Sequence, residues 1–549
     1  MTAVRCGWFE LREGTIAAGD EYSFVLDGGA ARPDPRSAWQ PQGVHGPSRA
    51  IDHDAFCWTD QRWRGRALRD AVVYEVHTGT FSRAGTFDGA IDHIGHLVDL
   101  GIGAVELLPV TAFPGDRGWG YDGVDLYAVH QAYGGPDALK RFVDACHAAG
   151  IAVVMDVVYN HLGPDGNYLG EFGPYFTDRY RTPWGDAINY DGAGSDEVRR
   201  FVVDNAVMWL ADYHCDGLRL DAVHAIVDTS AVHILEEITT AVHELSRDLG
   251  RELWVIAESD LNDPRLVNSV DRGGYGCDAQ WSDDFHHALH ASLTGETSGY
   301  YADFGRVEDV ALSLRNVFVN PGGYSPFRQR RHGRPVGDLP ATRFLGYLQN
   351  HDQVGNRARG ERSAALLSPA RLQIAAALIL LGPFVPMLFA GEEWAASTPF
   401  QYFTDHQDVE LGRLVSEGRR REFASFGWDP ADVPDPQDPA TFERSKLRWG
   451  DLATEPHDTA LRWHRDLIAL RASMPALRDG DRSRVAVEFD EAQRWLVMRR
   501  AGLCLACNWG EVAVELSVRE TTVVMANIAP AWTETGLLLA PDGVVVTRD

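Results

Sequence analysis

Four apolar runs in this chain stop abruptly at polar side chains: VVMDVVYNH (153–161), GLRLDAVH (217–224), LWVIAES (253–259) and FLGYLQNHD (344–352). A buried strand that closes on a charge is unusual, because an unpaired ionised group in an apolar setting costs several kcal/mol, on the order given by small-molecule transfer. Four such strands, separated by helical stretches, predict one shared site at the strand ends. Three of them supply the carboxylates Asp221, Glu258 and Asp352.

The spacing of these runs sets the fold class. VVYEVH (72–77) and AVELLPV (104–110) read as strands, and residues 88–100 read as a helix with Ile91, Ile94, Leu97 and Val98 on one face. Pro136 opens a further helix that Gly150 closes. Ser195 is placed to cap another, with Asp196 and Glu197 suiting its N-terminal dipole. CDAQW and PMLFAG complete eight strands. An α/β chain of this kind predicts a (β/α)8 TIM barrel with loop insertions over 68–480. A doubly wound sheet is the runner-up, but no G-x-G-x-x-G follows an early strand. Residues 1–67 read as a short β domain and linker, and the alternation after 480 predicts a C-terminal antiparallel β domain over 481–549. At 549 residues the chain exceeds a single core of roughly 250–300 residues, in keeping with several domains.

Charge narrows the partners. The net charge of −28 disfavours nucleic acid, which needs clustered Lys and Arg, and disfavours anionic lipid. The longest uncharged apolar stretch, 374–391, is broken by Gly382, Pro383 and Pro386, so no membrane span is expected. Seven cysteines are scattered along the chain. Cys504 and Cys507 form a lone C-x-x-C in a strand-like setting, which reads as buried thiols in a reducing cytoplasm. A small neutral ligand fits best.

In a barrel, loops at the carboxyl ends of the strands build the site. Side chains two apart on a strand point the same way, so Arg219 and Asp221 point together, with Asp156 ending a neighbouring strand. An arginine beside Asp221 favours its ionised form, which suits a nucleophile. Desolvation of Glu258 favours its protonated form, which suits a general acid. Asp352 can stabilise positive charge at a sugar ring, while Asn160, His161 and His351 read as neutral donors to hydroxyls. Two carboxylates about 5–5.5 Å apart are the machinery of a retaining glycosidase. Taken singly, a strand-end Asp is ordinarily a cap or a loop ion pair; the four runs together are not explained so. Trp119, Tyr121 and Asp122 in GDRGWGYDGVD can meet a sugar through ring stacking and hydrogen bonds, or simply pack the loop. A metal-dependent hydrolase competes, but strand one offers only His77 and no H-E-x-x-H occurs. No cofactor or metal is expected.

At these residues the sequence resembles the α-amylase-type glycoside hydrolases. DVVYNH, GLRLDAVH, WVIAES and QNHD match that family's four motif regions in order. Longer stretches, such as YEVHTGTFSRAGTFDGAI, FGPYFTDRYRTPWGDAINYDG and LQNHDQVGNRARGER, resemble its trehalose-releasing members. The resemblance implies a hydrolase that cleaves the α-1,4 bond next to the terminal trehalose of a maltooligosyl trehalose. It implies Asp221 as nucleophile, Glu258 as acid and base, and Asp352 as holder of the distorted ring. Arg219, His161, His351, Tyr121 and Asp122 would line the subsite of the cleaved ring, and His224 would lie towards the leaving unit. Family members open with a fuller β-sandwich, so the segment before Gly7 is expected to lack its first strands. A glycogen branching transferase shares the W-G-Y and D-A-V patterns, and a non-catalytic sugar-binding barrel is the third alternative.

Overall fold

The protein is described as a computed structural model covering residues 1–4, 7–11, 16–182, 184–425, 429 and 433–548; Cys6 lies outside the described residues. Its centre is a closed barrel of eight parallel strands in sequential order. These are β1 (Val73–Val76), β2 (Ala104–Leu107), β3 (Ala152–Val157), β4 (Gly217–Leu220), β5 (Trp254–Ala257), β6 (Ala279–Trp281), β7 (Phe344–Gly346) and β8 (Val385–Phe389). Every residue of every one of these strands is buried. That is the pattern a parallel sheet covered on both faces demands.

The outer layer follows the expected alternation with two departures. The predicted helix over 88–100 is two short ones, α1 (Phe87–Ile91) and α2 (Ile94–Leu100). Val98, placed on the apolar face by periodicity, is 47% exposed. Helices α3 (Gly135–Ala148), α4 (Ser195–Ala211) and α5 (Ile234–Leu249) follow in turn. Ser195 is the first residue of α4, and Gly194, in a left-handed conformation, occupies the cap position. Between β5 and β6 a single 3-10 turn, Val270–Arg272, stands where a helix would be. Helices α6 (Asp283–Thr294) and α7 (Val307–Asn316) follow β6, and α8 (Pro369–Leu380) follows β7. The chain leaves the barrel through α9 (His457–Ser473).

Alternation along the strands sorts the barrel interior by height. Val73, Ala104, Val154, Ile256, Leu345 and Met387 belong to one apolar plug. Two residues further on, the inward positions carry charge: Glu75 stands beside Glu106, and Asp156 beside Arg219, in register. All four are buried. The functional layer is built on this charged tier.

After α9 an antiparallel five-stranded sheet forms from β9 (Ala486–Asp490), β10 (Trp495–Arg500), β11 (Leu503–Asn508), β13 (Thr522–Ala526) and β16 (Gly543–Arg548). A second sheet joins β12 (Val514–Leu516), β14 (Ala531–Trp532) and β15 (Leu537–Leu539). Cys504 and Cys507 are both buried in β11. The sheet is fastened to α6 by Trp509, whose Nε1 donates to Ser292 Oγ at 3.2 Å, and by Arg494, which donates to the Ser292 carbonyl. At the other end of the chain, short strands pair in twos, Thr2–Ala3 with Phe9–Glu10, Glu21–Tyr22 with Ser48–Arg49, and Phe24–Val25 with Ala31–Arg32.

The linker that follows is clasped to the base of the barrel. His147 on α3 places Nδ1 2.8 Å from Asp60 and Nε2 2.9 Å from Asp216. Trp63 donates to the other oxygen of Asp216 at 2.6 Å and stacks on the His147 ring. Burial opposes a charge on His147, but the bonds to Asp216 and Asp60 outweigh it and its pKa is raised. A raised folded value means its contribution is complete below about pH 6.5, the unfolded value, and is lost as pH rises through the folded one. His147→Leu leaves buried Asp216 without its imidazole partner and leaves Asp60 with His214 alone. It should cost about 3–5 kcal/mol in urea unfolding near pH 6, with a smaller penalty above the raised value.

Candidate active site

The strand ends meet at one guanidinium. Arg219 is fully buried on β4, and its Nη1 lies 2.7 Å from Asp156 Oδ2 on β3 and 2.8 Å from Asp221 Oδ1 just past β4. Its Nη2 lies 3.7 Å from Glu258 Oε2 at the end of β5. The Trp281 ring covers it, with the guanidinium carbon 4.2 Å from the ring centroid, a cation–π contact. One planar cation therefore holds carboxylates from three adjacent strands.

Each carboxylate is fixed by a second contact. Asn160 donates its Nδ2 to Asp221 Oδ2 at 2.7 Å, and Tyr121 donates to Asp156 Oδ2 at 2.6 Å. Ala222 takes a left-handed conformation, φ 38° and ψ 50°, which costs a non-glycine residue on the order of 1–2 kcal/mol. The turn aims the Ala222 amide at Glu258 Oε2, 2.5 Å away. Asp221 and Glu258 thus share a cation, and the residue after Asp221 supplies the backbone donor that holds Glu258.

The charge balance explains which carboxyl keeps a proton. Glu75, Glu106, Asp156, Asp221 and Glu258 crowd around two cationic side chains, Arg219 and His351. Burial pushes Glu258 well above the usual carboxylate range; Arg219 opposes the shift, and Asp221, Asp283 and Asp352 reinforce it. Burial raises Glu106 well above its ordinary value too, helped by Glu75, and raises Asp156 to about 6. The arrangement sets a protonated carboxylic acid beside an arginine-bound carboxylate, the pairing that acid-assisted displacement at an acetal needs.

His351 corrects one expectation. Read as a neutral donor, it is drawn towards its charged form by the carboxylates around it. Its Nδ1 lies 2.6 Å from Glu75 Oε1, and its backbone N–H donates to Glu75 Oε2 at 2.9 Å. Burial works against the charge, but Asp352 and Glu75 prevail and raise the pKa to about 9. The ring stacks on Tyr121. Asp352 follows in the five-residue helix His351–Gly355, capped by Asn350, with its side chain 44% exposed at the mouth.

His161 is buried, with Nε2 3.0 Å from the Tyr121 carbonyl and Nδ1 on Asn160 Oδ1. The Trp184 ring stacks on it. Asp122 lies 3.9 Å from His406, its pKa raised by burial against the pull of His406 and His161. His224 is exposed, in the turn Val223–Ala225 beyond Asp221. Trp119 sits deeper than a ring open to ligand: it is 6% exposed, packs with Leu108, Phe389 and Phe400, and bonds through Nε1 to the Gln401 carbonyl. It meets the site by bracing His351 edge-on.

Sequence reading missed Glu75, Glu106, Trp281, Tyr347 and Asp283. The first two carried a signal, since each is a charge inside an otherwise apolar strand. An H-x-x-x-H spacing also escapes a search of the strand ends: His286 and His290 lie on α6. His286 is engaged by the Leu348 carbonyl and Tyr301, and His290 by Glu296. Among the described residues no cluster of three or more His, Cys, Asp or Glu is arranged to hold a metal ion.

Comparison with known proteins places this geometry. Residues 57–182 match the model of the alpha amylase catalytic domain. A malto-oligosyltrehalose trehalohydrolase of Arthrobacter ramosus is 54% identical over 506 residues, 92% of this chain and 87% of that protein. The chain belongs to the malto-oligosyltrehalose trehalohydrolase family. A Salmonella typhimurium protein whose crystal structure is described as an alpha amylase superposes with a TM-score of 0.89 at 39% identity, over 97% of this chain and 91% of that one. A 1,4-alpha-glucan branching enzyme of Pseudoalteromonas atlantica shares 31% identity over only 52% of this chain. The closed barrel is therefore that of a glycoside hydrolase.

The His351 assignment is open to direct measurement. Its ring should titrate near the raised value of about 9 in a histidine NMR experiment, and Glu75→Gln should bring that value down. Because the folded value exceeds the unfolded one, its stabilising contribution is present below about pH 6.5 and lost as pH climbs through about 9.

Proposed function

We infer that this enzyme hydrolyses the α-1,4-glucosidic bond adjacent to the terminal trehalose of maltooligosyl trehalose, releasing trehalose by a retaining mechanism. The observation that carries the chemistry is the sharing of Arg219 by Asp221 and Glu258; the substrate follows from the family. Asp221 attacks the anomeric carbon and forms a glycosyl ester. Glu258 gives its proton to the departing oxygen and then takes one from the incoming water. The burial that raises Glu258 keeps that proton available. Asp352 holds the ring hydroxyls, and Tyr121, Asp122, His161, Arg219 and His351 surround the ring being cleaved. Trp119 acts through its support of His351, and His224 faces the leaving unit.

No metal enters this scheme. No helix of the described residues is long and apolar enough to cross a membrane, and Cys57, Cys146, Cys215, Cys277 and Cys507 are free thiols, which suits a cytoplasmic enzyme. The division into 1–67, 68–480 and 481–549 goes with this reading. Branching-type transfer is not favoured, since the likeness to a branching enzyme spans about half the chain while the trehalohydrolase likeness spans nearly all of it.

Maltotriosyl trehalose incubated with the enzyme should yield trehalose and maltotriose by chromatography, in the presence of chelator. New α-1,6 branches in amylose without trehalose would transfer the assignment to the branching reaction. Glu258→Gln should lower kcat by about 10²–10⁴-fold with an unchanged melting profile; near-normal turnover would remove Glu258 from the acid role.

A further inference from the structure

Helix α6 opens with two adjacent carboxylates that are treated differently by their surroundings. Asp284 Oδ2 is a structural acceptor: it takes hydrogen bonds from Asn262 Nδ2 at 2.9 Å, from the Val319 amide at 2.6 Å and from the Asn320 amide at 3.2 Å. It pins two loops together. Asp283 is, among the described residues, tied to no loop backbone and has a single side-chain donor. Its Oδ1 accepts from the Tyr347 hydroxyl at 2.5 Å, and among the described residues its Oδ2 has no hydrogen-bond partner. That oxygen is not sealed in the interior, since Asp283 lines a cavity together with Asp260, His287, Tyr300 and Arg328.

The position of this cavity gives the free oxygen a meaning. Around the barrel the order is β3, β4, β5, β6, so Asp221 and Glu258 end neighbouring strands and Asp283 follows the next one. Tyr121, Asp122 and His161 come from the loops after β2 and β3, on the far side of Asp221. Asp283 and Asp260 come from the loops after β6 and β5, on the far side of Glu258. An acid protonates the oxygen of the group that leaves, so the departing unit lies on the Glu258 side.

The support beneath Asp283 is rigid. Tyr347 is buried just past β7, packs edge-on against Trp281, the ring that covers Arg219, and stacks on His286. A carboxyl at the first turn of a helix is ordinarily explained by the dipole alone. Here burial raises Asp283 to about 7, against the bond from Tyr347 and with the help of Asp260, Asp284 and Asp352. Such a group is expensive to keep for a dipole contact that an exposed Asp would supply equally well.

We propose that Asp283 is a positioning residue for the leaving trehalose unit: Tyr347 holds Oδ1, and Oδ2 engages a hydroxyl of that unit beside the oxygen Glu258 protonates. The inference rests on the trehalose-releasing reading. It requires Asp283 to act on the leaving side only, which separates it from any general electrostatic or folding role.

The experiment compares two substrates and one product. On maltotriosyl trehalose, Asp283→Ala should lower kcat/KM by at least about tenfold, the scale of one lost bond to a charged or strongly polar group. The inhibition constant of free trehalose should rise by about the same factor. On an aryl α-maltotrioside, whose leaving group carries no sugar hydroxyls, the same variant should stay within about twofold of wild type. Asp283→Asn keeps an acceptor for Tyr347 and a polar group for the hydroxyl, so it should recover part of the loss while preserving the fold. If Asp283→Asn and Asp283→Ala lose both substrates equally, or neither, or if trehalose inhibition is unmoved, the proposal is overturned. A wild-type enzyme that splits the aryl glycoside but releases no trehalose overturns the functional reading first, and this inference with it.

Discussion

Arg219 is the side chain on which the upper half of the barrel depends. It is a permanent cation with no solvent exposure, and burying it is affordable only because carboxylates from β3, β4 and β5 converge on it. The reverse also holds: those carboxylates could not close apolar strands without it. Among the described residues Nε and Nη2 of Arg219 have no hydrogen-bond partner, so the cation is under-satisfied on the side of Glu258. Replacing it by lysine would keep the charge and lose the planar fork that reaches Asp156, Asp221 and Glu258 at once.

The same electrostatics separate the roles of chemically similar residues. Glu258 and Asp221 sit one strand apart, yet only Asp221 makes a short contact to the guanidinium, 2.8 Å against 3.7 Å. His351, on the other flank, owes its charge to Glu75, a residue from the opposite end of the barrel sequence. The surroundings of these side chains are thus set by who faces whom across the interior. Their identities alone would not assign them.

The sequence is explicit about what depends on periodicity and silent about what depends on closure. Buried strands ending in Asp221, Glu258 and Asp352 are readable because charge in an apolar run is costly and therefore rare. The (β/α)8 alternation is readable for the same reason. The break between α1 and α2 is not, since 88–100 keeps an apolar period across it; nor is the missing helix between β5 and β6. For His351 the sequence shows only half of what raises it: Asp352 is its neighbour, but the bonded partner Glu75 lies 276 positions away. Trp119 reads equally as a ring open to ligand or as loop packing because a Gly-rich loop says nothing about what will cover it, and Phe400 and Gln401 do so from far downstream.

The attachment of Trp509 and Arg494 to Ser292 carries a consequence for anyone trimming this protein. Ser292 lies near the far end of the helix that begins at Asp283, so the C-terminal sheet is a brace on the reaction chamber rather than an appendage. A shortened form ending after α9 would retain every strand of the barrel. It would also leave that helix free to tilt, and its loss of turnover would precede any loss of the barrel itself.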